Sequence, residues 1–454
     1  MITSTDRRRR YAVAGTGSRA AMYVDAMLGE HADVAVPVAW CDTNEVRMAY
    51  YDAKVRAAGL APVHYHPDEL SRMLSEQQVD VLIVTSPDHT HAEIVTRALA
   101  AGVDVICEKP LTIDAAGLRA IESAARESSA RLILTFNYRY SPRNSALREV
   151  IAAGTIGRVV SVHFEWMLDT VHGADYFRRW HRDKRHSGGL AVHKAAHHFD
   201  LVNWWIDDVP ETVHALGGLH FYGAEGAGHP GGLRSPLARD TQPGDPYGLD
   251  MAEDDKMREL FLTAEHADGY LRDRDVFAPG VSIEDTLSVL VGYRSGASMT
   301  YSLTAHSPLE GYRVNVNGTR GRAELEVVER SHTAGTGRSQ TAKLLGPNGK
   351  SGQAGARLTV QKHWEVATEI PIPVGSGAHG GGDILMLRDI FRGTGDDPLR
   401  RQAGYVDGLR SAAVGVATNQ SLSTGSPARI AAAGLVEVSV PSARGSHVVA
   451  EGGL

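Results

Sequence analysis

Short apolar runs alternate with helical patterns over the first 137 residues. YAVAG (Tyr11–Gly15) flows into a glycine turn and then a helical spacing that reaches about Leu28. VPVAWCD, VDVLIVTSP (Val79–Pro87), DVICEKP and RLILTFN (Arg131–Asn137) are further runs of strand length. Between them, His91–Ala101, ended by Gly102, and Ile113–Ser128 carry the helical period. Repeated strand–helix units predict a parallel sheet with helices on both faces. Ligands of such sheets bind at the carboxyl ends of the strands.

After Pro142 the period changes. A helix over roughly Arg143–Ala153 ends at Gly154, and VVSVHFEW (Val159–Trp166) then alternates with a period of two. Thr286–His306, turning at Ser295-Gly296, and Tyr312–Val327 read as hairpins. Consecutive strands with glycine turns predict a large, open, mostly antiparallel sheet. The expected fold is therefore α/β: an N-terminal parallel-sheet domain over 1–137 and a C-terminal α+β domain over 138–454. An insertion is expected at about 219–282, because Leu219–Pro279 is rich in Gly, Pro and charge. So long a loop is functional or contains hidden helices. Arg338–Gln361 reads as an exposed excursion.

Bulk composition changes this picture little. A chain of 454 residues predicts two domains, and 43% hydrophobic with 22% charged residues is ordinary for a globular protein. The net charge of −7 gives no basic field for nucleic acid. No apolar run approaches the roughly 18 residues of a membrane span. Four arginines near the N-terminus, Arg7–Arg10, lead straight into the first strand, as a solvated lead-in does. The two cysteines, Cys41 and Cys107, fall at buried strand ends, which predicts small hydrophobes in a reducing cytoplasm.

The first turn carries the clearest chemistry. Gly15-Thr16-Gly17-Ser18-Arg19-Ala20 sits between a strand and a helix. The first glycine permits the tight turn, the second lets the backbone approach a pyrophosphate at the helix N-terminus, and Ala20 permits close helix–strand packing. Asp42 closes the next strand about 20 residues on, where a ribose-binding acid belongs. No arginine directly follows Asp42, and its carboxylate repels a 2′-phosphate, so NAD is expected rather than NADP. Ser86, Pro87, Glu108, Lys109, Pro110 and Asn137 end later strands of this Rossmann pattern and are expected to line the same crevice. A lysine there can donate a proton or lower the pKa of a substrate hydroxyl.

GTGSRA, SPDHTHAEIVTRALAAGVDVICEKPLT and FNYRYSP resemble the Gfo/Idh/MocA family of NAD(P)-dependent sugar oxidoreductases. The resemblance implies that Lys109 sits at the nicotinamide and substrate, and that His91 lies near the cofactor. It also implies an open sheet in the second domain that closes the site and builds subunit interfaces, hence a homo-oligomer, dimer or tetramer.

One stretch departs from the family pattern. GGLAVHKAAHHFDLVNWW (Gly188–Trp205) holds three histidines and a lysine within six residues. On a helix, His193, His197, Leu201 and Trp204 share a stripe, with Lys194, His198 and Trp205 on the next. HKAAH superficially resembles a zinc motif, but lysine replaces the glutamate base and opposes a cation, so no metal is expected. The family carries an aspartate and, four residues on, a histidine near the reacting hydroxyl. Here His193 falls at the aspartate position and His197 at the histidine position. The resemblance thus implies Lys109 and His197 as catalytic residues, with His193 and Lys194 beside them.

Just before this stretch, Tyr176–Gly189 holds Arg178, Arg179, Arg182, Lys184 and Arg185 against one Asp183. Arginine forks bind carboxylate, sulfonate or phosphate. Tyr176 and Trp180 can stack on a sugar ring, and Arg139, Tyr140 and His198 are further candidates for the same pocket. Ala378–Asp383 and the basic, aromatic Asp268–Phe277, with Tyr270, Arg272 and Arg274, fit either a structural role or completion of that pocket.

The expected partner is a small, anionic sugar or glycoside. Three activities fit. One is net dehydrogenation of a ring CH–OH. The second is a redox-neutral, NAD-dependent glycoside hydrolysis, to whose sulfoquinovoside-cleaving members the HKxxHH helix and arginine-rich loop are similar. The third is non-catalytic sensing of NAD or sugar.

Overall fold

The computed structural model describes residues 8–333, 355–373 and 381–431. Six parallel strands come first: β1 (Arg9–Ala14), β2 (Ala35–Cys41), β3 (Val63–Tyr65), β4 (Val81–Val84), β5 (Asp104–Cys107) and β6 (Leu132–Leu134), in the order β6-β5-β4-β1-β2-β3. Alternate residues of β1 feed two cores, Ala12 and Ala14 on one face and Tyr11 and Val13 on the other. Helices cover both faces, which is why β4 is apolar and buried throughout. Asn44 caps the helix Glu45–Arg56 by accepting from the Val46 and Arg47 amides, and Asp114 caps Ala115–Glu127 through the Gly117 amide.

The second sheet holds β7 (Val159–Asp169), β8 (Pro210–Gly218), β9 (Thr286–Tyr293), β10 (Ser298–Ser307), β11 (Glu310–Gly318), β12 (Gly321–Arg330), β13 (Gly355–Lys362) and β14 (Thr368–Ile370), in the order β14-β13-β12-β11-β7-β10-β9-β8. All neighbours are antiparallel except β7 and β10. Strict alternation buries one face, including Phe164 and Trp166 of β7, beneath the helices Pro142–Ala152 and Ala196–Ile206. Where an exposed excursion was expected, Gly355–Gln361 pairs with β12 as a strand, because Leu358 and Val360 reach the core. The rest of that excursion lies outside the described residues.

The far end of the chain completes both sheets. β15 (Ala403–Gly404) adds antiparallel to β6, and β16 (Ala428–Arg429) adds to β8. The helix Tyr405–Thr424 between them packs on β6, β8 and the helices Ala115–Glu127 and Ala196–Ile206. A linear division at residue 137 therefore leaves out one strand and one covering helix of the first sheet. Leu219–Pro279 folds into short helical turns around a small core of Ala238, Leu249, Met251 and Met257. Arg234 pairs with Asp275, and Arg239 with Asp273, to hold it together.

Candidate active site

A cleft of about 440 Å3 opens at the carboxyl ends of β1, β2, β4 and β5. Gly15, with φ +92°, sits where a Cβ would lie 2.3 Å from the Ser86 amide, so only glycine allows the β1 and β4 ends to approach. A Cβ on Gly17 would meet open space, and this is the cradle that a pyrophosphate needs. Asp42 Oδ2 accepts from the Thr16 amide at 2.6 Å and the Thr16 hydroxyl at 2.8 Å, and Oδ1 accepts from the Asn44 amide at 2.9 Å. The glycine turn and the ribose-position acid are thus built as one unit. Gly15, Gly17, Ser18, Arg19, Asp42, Ser86, Pro87 and His91 all line the cleft, which fits a dinucleotide. Ala20 is buried against the sheet.

Several of these side chains work on each other. Glu108 accepts from Arg19 Nε at 2.6 Å and from the Tyr23 hydroxyl at 2.7 Å. His91 lies between two strand ends, with Nδ1 2.8 Å from the Pro110 carbonyl and Nε2 3.0 Å from the Ser86 carbonyl, and its one ring N–H donates to one of them. Asn137 does not reach the cleft wall: its amide donates to Asp383 at 2.7 Å, tethering the helix Gly382–Arg392.

The floor of the cleft holds Lys109. Its amine donates to His193 Nε2 at 3.2 Å and to the His193 carbonyl at 3.1 Å. The other ring nitrogen, Nδ1, meets Asp88 Oδ2 at 2.5 Å. Burial, and then the Lys109 charge, push His193 well below the ordinary histidine range, so its ring is neutral. A neutral imidazole with Nε2 accepting from an ammonium must carry its proton on Nδ1 and donate it to Asp88. Burial also lowers the Lys109 pKa to about 8, against the opposing charges of Asp88 and Glu108. Burial pushes Asp88 upward, opposed by Lys109 and Arg179.

The expected single helix through the histidine cluster is broken. Leu190–His193 and Ala196–Ile206 are separate helical segments, joined by a turn at Lys194-Ala195. The His193 carbonyl at this break is the one that accepts from Lys109. The break sends the cluster to different neighbours. His193 faces the nucleotide cleft, whereas His197 stacks on Tyr138 with ring centres 4.4 Å apart and does not line that cleft. Lys194 turns toward the second sheet, donating to the Tyr138 hydroxyl at 3.2 Å and lying 4.8 Å from the Trp166 ring centre. His198 is buried between Trp166 and the Tyr301 hydroxyl.

The basic loop is largely consumed internally. Arg178 donates to the Tyr247 carbonyl at 2.7 Å, and Arg182 to the Ala278 and Pro279 carbonyls at 2.7 and 3.0 Å. Lys184 pairs with Glu284, Arg185 with Asp183, and Arg272 with Asp175. Arg185 pairs within its own loop, and the other cations fasten the insertion rather than line the cleft, because backbone carbonyls buried by an insertion need donors. Arg179 and Trp180 do line the cleft, with Arg179 held by Asp175 at 2.9 Å. Tyr176 is buried beside His193, its hydroxyl 3.2 Å from His172 Nε2. Arg139 is a structural ion pair instead of a substrate contact: Asp200 takes it through two bonds of 2.8 and 2.6 Å, and Asp407 sits at 3.1 Å.

Sequence reasoning missed Asp88 and Arg47. Asp88 follows the Ser86-Pro87 turn, and that position at a strand end was the available signal. Arg47 lies in the first turn of its helix, 3.7 Å from Asp42, and pairs with Asp268 of the insertion. The insertion also accepts from Asn44 Nδ2 at the Ala264 carbonyl, 3.0 Å away, and reaches the Ser18 carbonyl with Lys256 at 3.4 Å. With Phe261 and Tyr270 in the wall, it roofs the nucleotide cleft.

A nucleotide cradle with a buried lysine of lowered pKa on its floor and a sheet domain beyond fits a dinucleotide-dependent oxidoreductase. The chain belongs to the Gfo/Idh/MocA oxidoreductase family: residues 9–136 match the NAD-binding Rossmann-fold domain and residues 148–430 the C-terminal alpha/beta domain. It is similar to YteT of Bacillus subtilis, named as an oxidoreductase, with 34% identity over 82% of this chain and 86% of that protein. An inositol 2-dehydrogenase of Rhizobium meliloti is 27% identical over 45% of this chain and 57% of its own length. The aldose-aldose oxidoreductase of Caulobacter crescentus shares the fold, with a TM-score of 0.59 at 16% identity, covering 93% of this chain and all of that one. Among the described residues, no helix is long and apolar enough to cross a membrane.

Proposed function

We propose that the protein moves hydride between NAD and a ring CH–OH carbon of a sugar or glycoside, with Lys109 taking the hydroxyl proton. The Lys109–His193–Asp88 chain on the floor of the cradle is the observation that carries this reading. NAD, when bound, supplies the hydride acceptor. With a pKa of about 8, Lys109 is neutral in about a tenth of molecules at pH 7 and takes a proton without a strong external base. His193 orients the amine through its lone pair, and Asp88 fixes the His193 tautomer. NAD is favoured over NADP because Asp42 occupies the ribose position and the nearby guanidinium of Arg47 is already engaged by Asp268.

A second reading, redox-neutral glycoside hydrolysis, is supported by the roof that Asp268, Ala264 and Lys256 place over the cradle. Asp268, Ala264 and Lys256 would hold such a roof closed over a bound NAD, so that hydride taken from a sugar would remain available to that same sugar. The oxidised ring carbon acidifies its neighbour, the aglycone leaves by elimination, water adds, and reduction restores the hydroxyl.

One experiment separates the two. Purified protein is given NAD with free sugars and with 4-nitrophenyl glycosides, and NADH and nitrophenol are followed together. Net NADH from a free sugar without aglycone release supports the dehydrogenase. NAD-dependent nitrophenol release with no NADH accumulating supports the hydrolase. NAD binding without either product refutes both.

A further inference from the structure

Outside the nucleotide cleft, a buried cation has been left without an anion. Lys194 is 3% exposed, and among the described residues no carboxylate lies within ion-pairing distance of its amine. The charges around it are already matched. Glu310 accepts from His172 Nδ1 at 2.6 Å and Arg330 Nη2 at 2.7 Å, Arg330 Nε lies 2.7 Å from Asp169, and Arg143 reaches Glu329. Three carboxylates, Glu310, Asp169 and Glu329, face three cations, Arg330, Arg143 and Lys194, and Lys194 is the one of these cations that contacts none of them.

Two further polar atoms beside it lack a partner among the described residues. One is the indole N–H of Trp166, which is 2% exposed, and the other is Nε2 of the fully buried His198. The two rings stack with centres 3.9 Å apart, and the lysine amine lies over the same indole. Buried polar groups in folded proteins are nearly always paired, and an unmatched ammonium is costly. An acceptor suited to the place must carry charge, to replace the solvation of the amine, and must offer more than one oxygen, to meet more than one donor. A carboxylate does both. Trp166 is covered by His198 and Tyr312, so the half-buried ring of Tyr138 is the aromatic surface left beside the amine for the apolar side of a sugar ring.

The site also lies within reach of the chemistry. Lys194 directly follows His193, whose carbonyl and Nε2 both accept from Lys109, so the two amines are anchored at adjacent residues of the chain. We propose that Lys194 and the Trp166 N–H bind the carboxylate of a uronic-acid ring while Lys109 holds its reacting hydroxyl. This rests on the reading of Lys109 given above. It relocates anion recognition from the loop arginines, which are spent internally, to a residue inside the histidine cluster.

The test compares methyl β-glucuronide with methyl β-glucoside by calorimetric titration of the NAD-loaded protein, with a 6-sulfonated glucoside as a third probe. Wild type is expected to bind the glucuronide about 10- to 100-fold more tightly than the glucoside. Lys194→Met should collapse that difference while NAD affinity stays unchanged, and Trp166→Phe should reduce it by several-fold. Equal binding of glucuronide and glucoside by wild type overturns the proposal. So does tighter binding of the sulfonate, or a Lys194→Met protein that keeps NAD and the glucuronide preference. Failure of wild type to bind NAD at all would instead sink the oxidoreductase reading, which keeps the two failures distinct.

Discussion

Asp88→Asn keeps the shape of the side chain and an acceptor oxygen for His193 Nδ1–H, and removes only the charge. The carboxylate acts on Lys109 across one 2.5 Å contact, the imidazole ring and one 3.2 Å contact. That path places the charges ~8 Å apart, and at an effective dielectric of ~20 their attraction is ~2 kcal/mol, equal to ~1.5 pH units. The sign follows from linkage. The carboxylate favours the charged amine, so its loss lowers the Lys109 pKa from about 8 toward ~6.5. The neutral amine is the base, so the rise of oxidation rate with pH should move down by the same interval. An assay free of any assumption about substrate is available. Limiting acetic anhydride acylates only neutral amines, and the Lys109 peptide can be followed by mass spectrometry across pH. A labelling midpoint that stays near its wild-type value, or moves up, would refute the electrostatic coupling and with it the proton chain.

Other perturbations separate chemistry from packing. His193→Asn should lower kcat by ~100-fold, because it removes the ring that orients the Lys109 amine, whereas His197→Asn, which removes a stacked ring outside the nucleotide cleft, should cost less than ~10-fold. Arg139→Met leaves Asp200 and Asp407 without their cation and should cost ~3–5 kcal/mol in urea denaturation, without altering KM in the folded fraction. Asp268→Ala releases Arg47 beside the ribose position and should raise the NADP-to-NAD affinity ratio by ~10-fold in fluorescence titrations. An unchanged ratio would show that Arg47 is held away from the cofactor by something other than Asp268.

The strand ends of the first sheet were legible because each residue's role there depends on local order: an apolar run, a turn, a helix. Gly15, Gly17, Asp42, Ser86 and Lys109 meet in one cleft for that reason. The histidine cluster was less legible, since its helix breaks at Lys194-Ala195 and a carbonyl is diverted to a lysine 84 residues away. No periodicity contains that event. The basic loop misled for a similar reason. Its cations look surplus along the chain, yet in space Arg178 and Arg182 meet carbonyls, and Lys184 a carboxylate, of residues 247–284. Asp88 escaped notice because its partner, His193, is distant in sequence and stands where the family pattern places a carboxylate.

The late return of the chain at β15 bears on how the protein is made. On the ribosome, β1 to β6 emerge early, but the strand that closes the β6 edge and the helix that covers it come from residues 403–424. At ~5–20 residues per second, that edge and the apolar side of the helix Ala115–Glu127 wait tens of seconds for their cover. A nascent chain in that state offers an open strand to any neighbour. The nucleotide-binding sheet, translated ahead of the second sheet, is thus closed only after that sheet's strands β7 to β14 have been made.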